Sequence, residues 1–274
     1  MRRHGLADSP DDVGLNGHAC WGFDDVADLQ TAAAAFLAEG AELGQQLMFV
    51  GGPEAEAMVR ESDPMRSLVQ VGTLQVAPFD AIYPGGRRMA NVDQLAMYAG
   101  ATDQALADGF TGLRVLAEVT ALASPDGAWH DQVSWESYAD RYMATRPLAA
   151  LCCFDRRRIP AEAMAALACA HPVADRRLQH LAPFRVYAQP TAMALAGEVD
   201  AFSSAQLSDL LELTIPDTQG EVVLDLEGLD FIDHSGVRAV VEHERRMRER
   251  GVTLTLQGES GLFRRLSDLL GAET

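Results

Sequence analysis

Ser235 lies in Phe231–Ile232–Asp233–His234–Ser235–Gly236, between the apolar run Val222–Val223–Leu224–Asp225–Leu226 and a helical stretch that begins near Val237. A serine at such a strand-to-helix junction has two roles open to it. It can cap the helix, which is worth about 1 kcal/mol, or its hydroxyl can carry a phosphate where backbone N–H groups favour anions. A phosphate adds about 1.5–2 negative charges near neutral pH. The helix N-terminus returns about 0.3–1 kcal/mol for that charge, so the fold should survive it. Asp230 and Asp233 oppose the charge from close by. The expected effect is loss of a docking surface with little structural change, and Asp233, His234 and Gly236 are the neighbours expected to share the partner's footprint.

A second set of reactive groups is His18-x-Cys20, Cys169-x-His171 and the adjacent Cys152 and Cys153. Two His/Cys pairs meeting in space can hold zinc tetrahedrally, although structural zinc sites usually separate paired ligands by two to four residues. We therefore read these residues as buried packing and expect no metal and no cofactor. His18, Trp21 and Phe23, with Tyr83 and Arg87 from a long loop, have the mix of aromatic and polar groups that lines a small-molecule cavity; it equally suits a core edge. Arg245, Arg246, Arg248 and Arg250 end a helix, where cations complement the dipole, and a solvated face accounts for them.

Composition narrows the chemistry. The chain has 274 residues and a formal charge of −18, and all 22 of its basic residues are arginine. No lysine is available for a Schiff base or a phosphate contact. The acidic balance opposes general nucleic-acid binding, which draws on clustered cations. No apolar run approaches the roughly 18 residues of a membrane span, and Met1–Arg2–Arg3–His4 followed by acidic residues is no secretory signal. The scattered cysteines fit a reducing compartment. A cytoplasmic protein is expected, compatible with a homodimer.

Residues 1–16 read as a flexible tail. Beyond it, helices expected over 25–42, 54–60, 92–108 and 135–144 alternate with apolar strands over 47–50, 74–76, 113–119 and 148–154. That alternation predicts a three-layer α/β domain with a largely parallel sheet, over 17–180. A smaller α/β unit follows over 184–274. It opens with paired strands joined at Gln189–Pro190, a turn at Gly197–Glu198–Val199–Asp200 and a helix capped by Ser203 or Ser204. The strand ending at Leu226, a helix closed by Gly251, the strand 252–256 and a last helix complete it.

The order Ala194–Leu195–Ala196–Gly197–Glu198–Val199–Asp200, then residues 222–226, then Phe231–Ile232–Asp233–His234–Ser235–Gly236 resembles the STAS domain of sulfate transporters and anti-sigma-factor antagonists. The resemblance implies phosphorylation of Ser235 by an anti-sigma serine kinase, which the unmodified form would bind. Gly17–His18–Ala19–Cys20–Trp21, Phe36–Leu37–Ala38–Glu39–Gly40, Leu151–Cys152–Cys153–Phe154–Asp155–Arg156 and Ala170–His171–Pro172 resemble the MEDS sensory domain, whose members look like relatives of RecA-type ATPases. This implies a RecA-like sheet and a small-molecule ligand. The loop after Val50 reads Gly51–Gly52–Pro53–Glu54 and has no Gly-Lys-Ser/Thr, so the usual phosphate cradle is missing. Asp155 could mimic a magnesium-binding acid, but a solvated strand end is the simpler reading. The leading expectation is a non-catalytic regulator that switches partners at Ser235. A nucleotide-hydrolysing enzyme and a scaffold subunit are the alternatives.

Overall fold

Near-continuous apolar strands bury both faces only when helices cover them on both sides. The computed structural model, which describes residues 2–11, 13–124, 129–215 and 220–271, shows that arrangement in its N-terminal part. The elements there are β1 (Gly5–Ala7), β2 (His18–Phe23), α1 (Val26–Glu42), β3 (Gln46–Gly51), α2 (Pro53–Glu61), α3 (Asp63–Gln70), β4 (Leu74–Pro78), α4 (Phe79–Ile82), α5 (Asn91–Ala107), β5 (Leu113–Glu118), α6 (Thr120–Ala123), α7 (Trp129–Met143), β6 (Leu148–Asp155), α8 (Ala161–Cys169) and β7 (Val173–Asp175). The seven strands form one parallel sheet in the order β1-β7-β2-β6-β5-β3-β4. Helices α1, α2 and α3 pack on one face around Trp21, Phe36 and Phe49. Helices α5, α7 and α8 cover the other around Tyr98, Trp135 and Leu167.

The C-terminal unit comprises β8 (Phe184–Ala188), β9 (Met193–Val199), α9 (Ser204–Thr214), β10 (Gly220–Asp225), β11 (Leu229–Ile232), α10 (His234–Glu249), β12 (Val252–Gln257) and α11 (Gly261–Gly271). Strand β9 pairs antiparallel with β8 and parallel with β10 and β11, and β12 extends the sheet beside β10. The α/β class and the two-sheet arrangement expected from the sequence are both present.

Two expectations are corrected. Residues 5–7 are no tail: β1 adds to β7 in parallel register, with Gly5 N–H donating to the Pro172 carbonyl at 2.8 Å. The buried Arg185 then donates to the Gly5 carbonyl at 3.1 Å, and Arg2 reaches the buried Asp140 at 2.6 Å. These three residues extend the sheet past β7 as its new edge strand, and three residues are too few to show a period. Gly197–Glu198–Val199 is strand, not turn, because β11 pairs there. Gly197 at φ +96° suits that irregular stretch, and a Cβ on it would meet the Pro183 carbonyl.

The Phe36–Gly40 motif has a packing cause. The guanidinium of the buried Arg114 lies 4.0 Å from the Phe36 ring centre, pairs with Glu39 and donates to Gln45 Oε1 at 2.8 Å. A Cβ at residue 40 would come within 2.3 Å of Arg114 Cδ, so glycine makes room for that side chain.

One apolar cluster runs from α5, α7 and α8 into β8, β9, α9 and α10, so the two units share a core. Helix α7 is the main bridge. Its Asp140 accepts from Ala188 N–H at 2.7 Å, and Ser137 and Arg141 donate to the Thr214 carbonyl at 2.9 and 3.1 Å. Thr214 ends α9, so α7 supplies partners to a carbonyl that the helix itself leaves open.

Candidate functional sites

Ser235 is the second residue of α10, not its cap. The cap is Asp233, whose carboxylate accepts from Ser235 N–H at 2.8 Å and Gly236 N–H at 3.1 Å. The Ser235 hydroxyl, 3.4 Å from His234 Nε2, is thus released from capping on a half-buried residue. Gly236 is buried against Val199 and Ile232, where a Cβ would collide at 2.7 Å. His234 is exposed. Asp233 N–H donates to the Val199 carbonyl, which ties this turn to the loop carrying Phe202. Phe202 is 96% exposed and Phe231 50%, apolar surface left open among the described residues. Phe231 also joins Leu229, Leu262 and Phe263 in lining a cleft of about 270 Å³.

The five residues expected to line one ligand cavity do not meet. Alternation along β2 puts His18 on the α7 side of the sheet and Trp21 and Phe23 on the α1 side. Tyr83 is buried on the α7 side, where it lines a cavity of about 30 Å³ with Tyr98, Trp135, Glu136 and Cys152. Arg87 sits on an exposed loop elsewhere.

The cysteine–histidine pairs meet only in part. His18 on β2, Cys152 on the neighbouring β6 and His171 before β7 converge, while Cys20, Cys153 and Cys169 are buried outside this cluster. The fourth member, Glu136 of α7, was not singled out in the sequence. His18 Nδ1 faces Asp140 Oδ1 at 3.0 Å, and His18 Nε2 faces Glu136 Oε2 at 3.3 Å. Cys152 Sγ is 3.4 Å from Glu136 Oε2 and 3.6 Å from His18 Nε2. His171 Nδ1 donates to the Leu167 carbonyl at 2.7 Å. Gln132 donates to Glu136 Oε1 at 2.5 Å.

The charges of this cluster follow from its partners. Burial opposes ionisation of Glu136, but the His18 hydrogen bond and the two imidazoles outweigh it and hold the carboxyl at about 2. Asp140 is likewise at about 2, burial being outweighed by Arg2 and His18. Burial acts to lower His18, yet hydrogen bonds to Asp140 and Glu136 raise it. For His171, burial and the neighbouring His18 prevail and take it down to about 4.

At the carboxyl ends of the strands, a cleft of about 560 Å³ is lined by Gly51, Gly52, Pro53, Glu118 and Asp155. Asp155 is not a solvated strand end: its carboxylate accepts from Arg157 N–H, Nε and Nη2 at 2.9–3.0 Å. Pro53 opens α2 and removes an N–H where a phosphate loop would need one. Asp25, Glu54, Glu56, Asp80 and Glu118 make the lining acidic.

A parallel-sheet sensory domain joined to a small mixed-sheet signalling domain is the class these features define. The family model described as MEDS, the methanogen/methylotroph, DcmR sensory domain, matches residues 17–172, more than half of the sequence, and the chain belongs to that family. A second family model, described as Mlab, STAS domain, matches residues 184–274. No curated protein matches the chain. Both domains are of regulatory types, a sensor and a signalling module. Among the described residues no helix is long and apolar enough to cross a membrane.

Proposed function

We propose that the chain is a non-catalytic, cytoplasmic regulator that acts as an anti-sigma-factor antagonist through reversible phosphorylation of Ser235, with the N-terminal domain sensing a small molecule. The observation that carries this reading is the Asp233 cap, which leaves the Ser235 hydroxyl without a structural duty on the first turn of α10. Since Asp233 already takes the N–H groups of Ser235 and Gly236, a phosphate on Ser235 meets a carboxylate and turns outward. It then lies at the end of the sheet that exposes Phe202 and Phe231, the apolar surface suited to a kinase partner. Charge placed on such a surface repels a partner without unfolding the domain.

Pull-down of partners from native cells tests this. Ser235→Ala should retain a serine-kinase-type partner at least as well as wild type, and Ser235→Asp should retain it about tenfold less. Equal capture by the two variants contradicts the switch.

The acidic cleft and Pro53 speak against binding nucleotide phosphates there. Calorimetry with ATP and magnesium should give no heat of binding; saturable binding would favour the enzymatic reading.

A further inference from the structure

His18, Glu136, Cys152 and His171 are all buried, and the ligand atoms they offer lie within 4.8 Å of one another. Two features set the group apart from an ordinary buried hydrogen-bond network. First, both imidazoles are held from behind. His18 Nδ1 donates to the Asp140 carboxylate and His171 Nδ1 to the Leu167 carbonyl, so each ring turns Nε2 inward. That is how an outer acceptor fixes the ring of a metal-ligating histidine. Gln132 does the same for Glu136, engaging Oε1 and leaving Oε2 to the centre. Second, His171 Nε2 is fully buried and finds no hydrogen-bond partner among the described residues. With its proton on Nδ1, it aims a lone pair at Glu136 Oε2, itself an acceptor, 3.6 Å away. Two facing acceptors beyond hydrogen-bond range are the arrangement that a shared cation satisfies.

The spacing fits one. Bond lengths of about 2.0–2.3 Å to N, O and S place tetrahedral ligands about 3.3 Å apart for N and O and about 3.5 Å apart where sulfur takes part. Four of the distances are 3.3 Å (His18 Nε2 to Glu136 Oε2), 3.4 Å (Cys152 Sγ to Glu136 Oε2), 3.6 Å (Cys152 Sγ to His18 Nε2) and 3.6 Å (His171 Nε2 to Glu136 Oε2). We propose that His18 Nε2, His171 Nε2, Cys152 Sγ and Glu136 Oε2 bind a divalent transition-metal ion of the zinc class. Binding releases the thiol proton of Cys152 and any proton on His18 Nε2, leaving a thiolate, a carboxylate and two neutral imidazoles around the ion. Four protein ligands close the coordination sphere, so the ion fastens α7 to the sheet and leaves no open position for catalysis. The proposal stands independently of the switch at Ser235.

The test uses the full chain without a His tag, produced in minimal medium supplied with zinc or with cobalt(II), and read by elemental analysis and absorption. One ion per chain is expected, with cobalt giving strong visible bands of four-coordinate geometry and a thiolate-to-cobalt charge-transfer band. Cys152→Ser should lose the charge-transfer band, and His171→Ala should cut metal content about tenfold or more. Folded wild-type protein without stoichiometric metal from either medium overturns the proposal, as does a cobalt spectrum unchanged in Cys152→Ser. Should the variants fail to fold, X-ray absorption of the wild-type cobalt protein decides: one sulfur and imidazole neighbours are required, and a sulfur-free shell overturns it.

Discussion

At the scale of single residues, the short polar side chains of the α10 turn divide their work in a way that sequence pattern does not reveal. Asp233 caps and Ser235 is released, although serine is just as good a capping residue by type. Asp233→Ala should therefore cost about 0.5–2 kcal/mol, seen as a lowered melting temperature, whereas Ser235→Ala should change stability by less than about 0.5 kcal/mol. The opposite ranking would mean that Ser235 is the structural residue. Asp233 and Ser235 were legible in the sequence as a pair, and their division of labour was not. Glu136 was not legible as a site residue. Gln132, Glu136 and Asp140 recur at four-residue spacing, the pattern of a polar face that ordinarily meets solvent. In the folded chain all three are buried, because α7 is covered by the sheet on one side and the C-terminal unit on another. Polar groups at that spacing next to Trp135 and Ala139 were the signal available.

At the scale of elements, α7 and the α9–α10 pair hold the C-terminal unit in place. Ser137 and Arg141 both donate to the last carbonyl of α9. Replacing both with alanine strands a buried acceptor and should cost about 1–3 kcal/mol in chemical denaturation; a loss below about 0.5 kcal/mol would contradict that role. Glu212 of α9 accepts from His243 and Arg246 of α10. Burial pushes its carboxyl up, but the hydrogen bonds from Arg246 and His243 prevail and hold it below the ordinary range. A depressed acid contributes fully above its unfolded pKa, about 4.3, and that contribution fades as pH falls through the lowered folded value. Glu212→Gln should thus cost about 0.5–1 kcal/mol near neutrality, the pair being partly screened by solvent. The difference from wild type should shrink below about pH 4; a gap that stays constant on acidification would contradict the assignment. Strands with a clear apolar run, β3, β5 and β6, and helix α1 with its repeat at Leu29, Ala33, Phe36 and Leu37 were readable from sequence. Helices α3 and α8 and strands β1, β2, β7 and β11 were not. Strands β1 and β7 have three residues each, β2 and α8 are buried nearly throughout and so carry no polar alternation, and in β11 the exposed Asp230 and Phe231 break the alternation that marks a half-buried strand.

At the scale of the whole molecule, one apolar cluster continues from the first family domain into the second. Scanning calorimetry of the full chain should show a single unfolding transition, and two resolved transitions would contradict a common core. Helix α7 joins the two domains, touching the buried histidine cluster on one side and α9 on the other. Partner switching requires that the Ser235 hydroxyl be a modification site in the working protein. Its most direct test is phosphosite mapping by mass spectrometry of the chain recovered from native cells, with Ser235→Ala mapped in parallel. Phosphate on Ser235 is expected in wild type, and its disappearance in the variant. Phosphate found only at other residues, with the Ser235 peptide fully recovered and unmodified across growth and stress conditions, would contradict it.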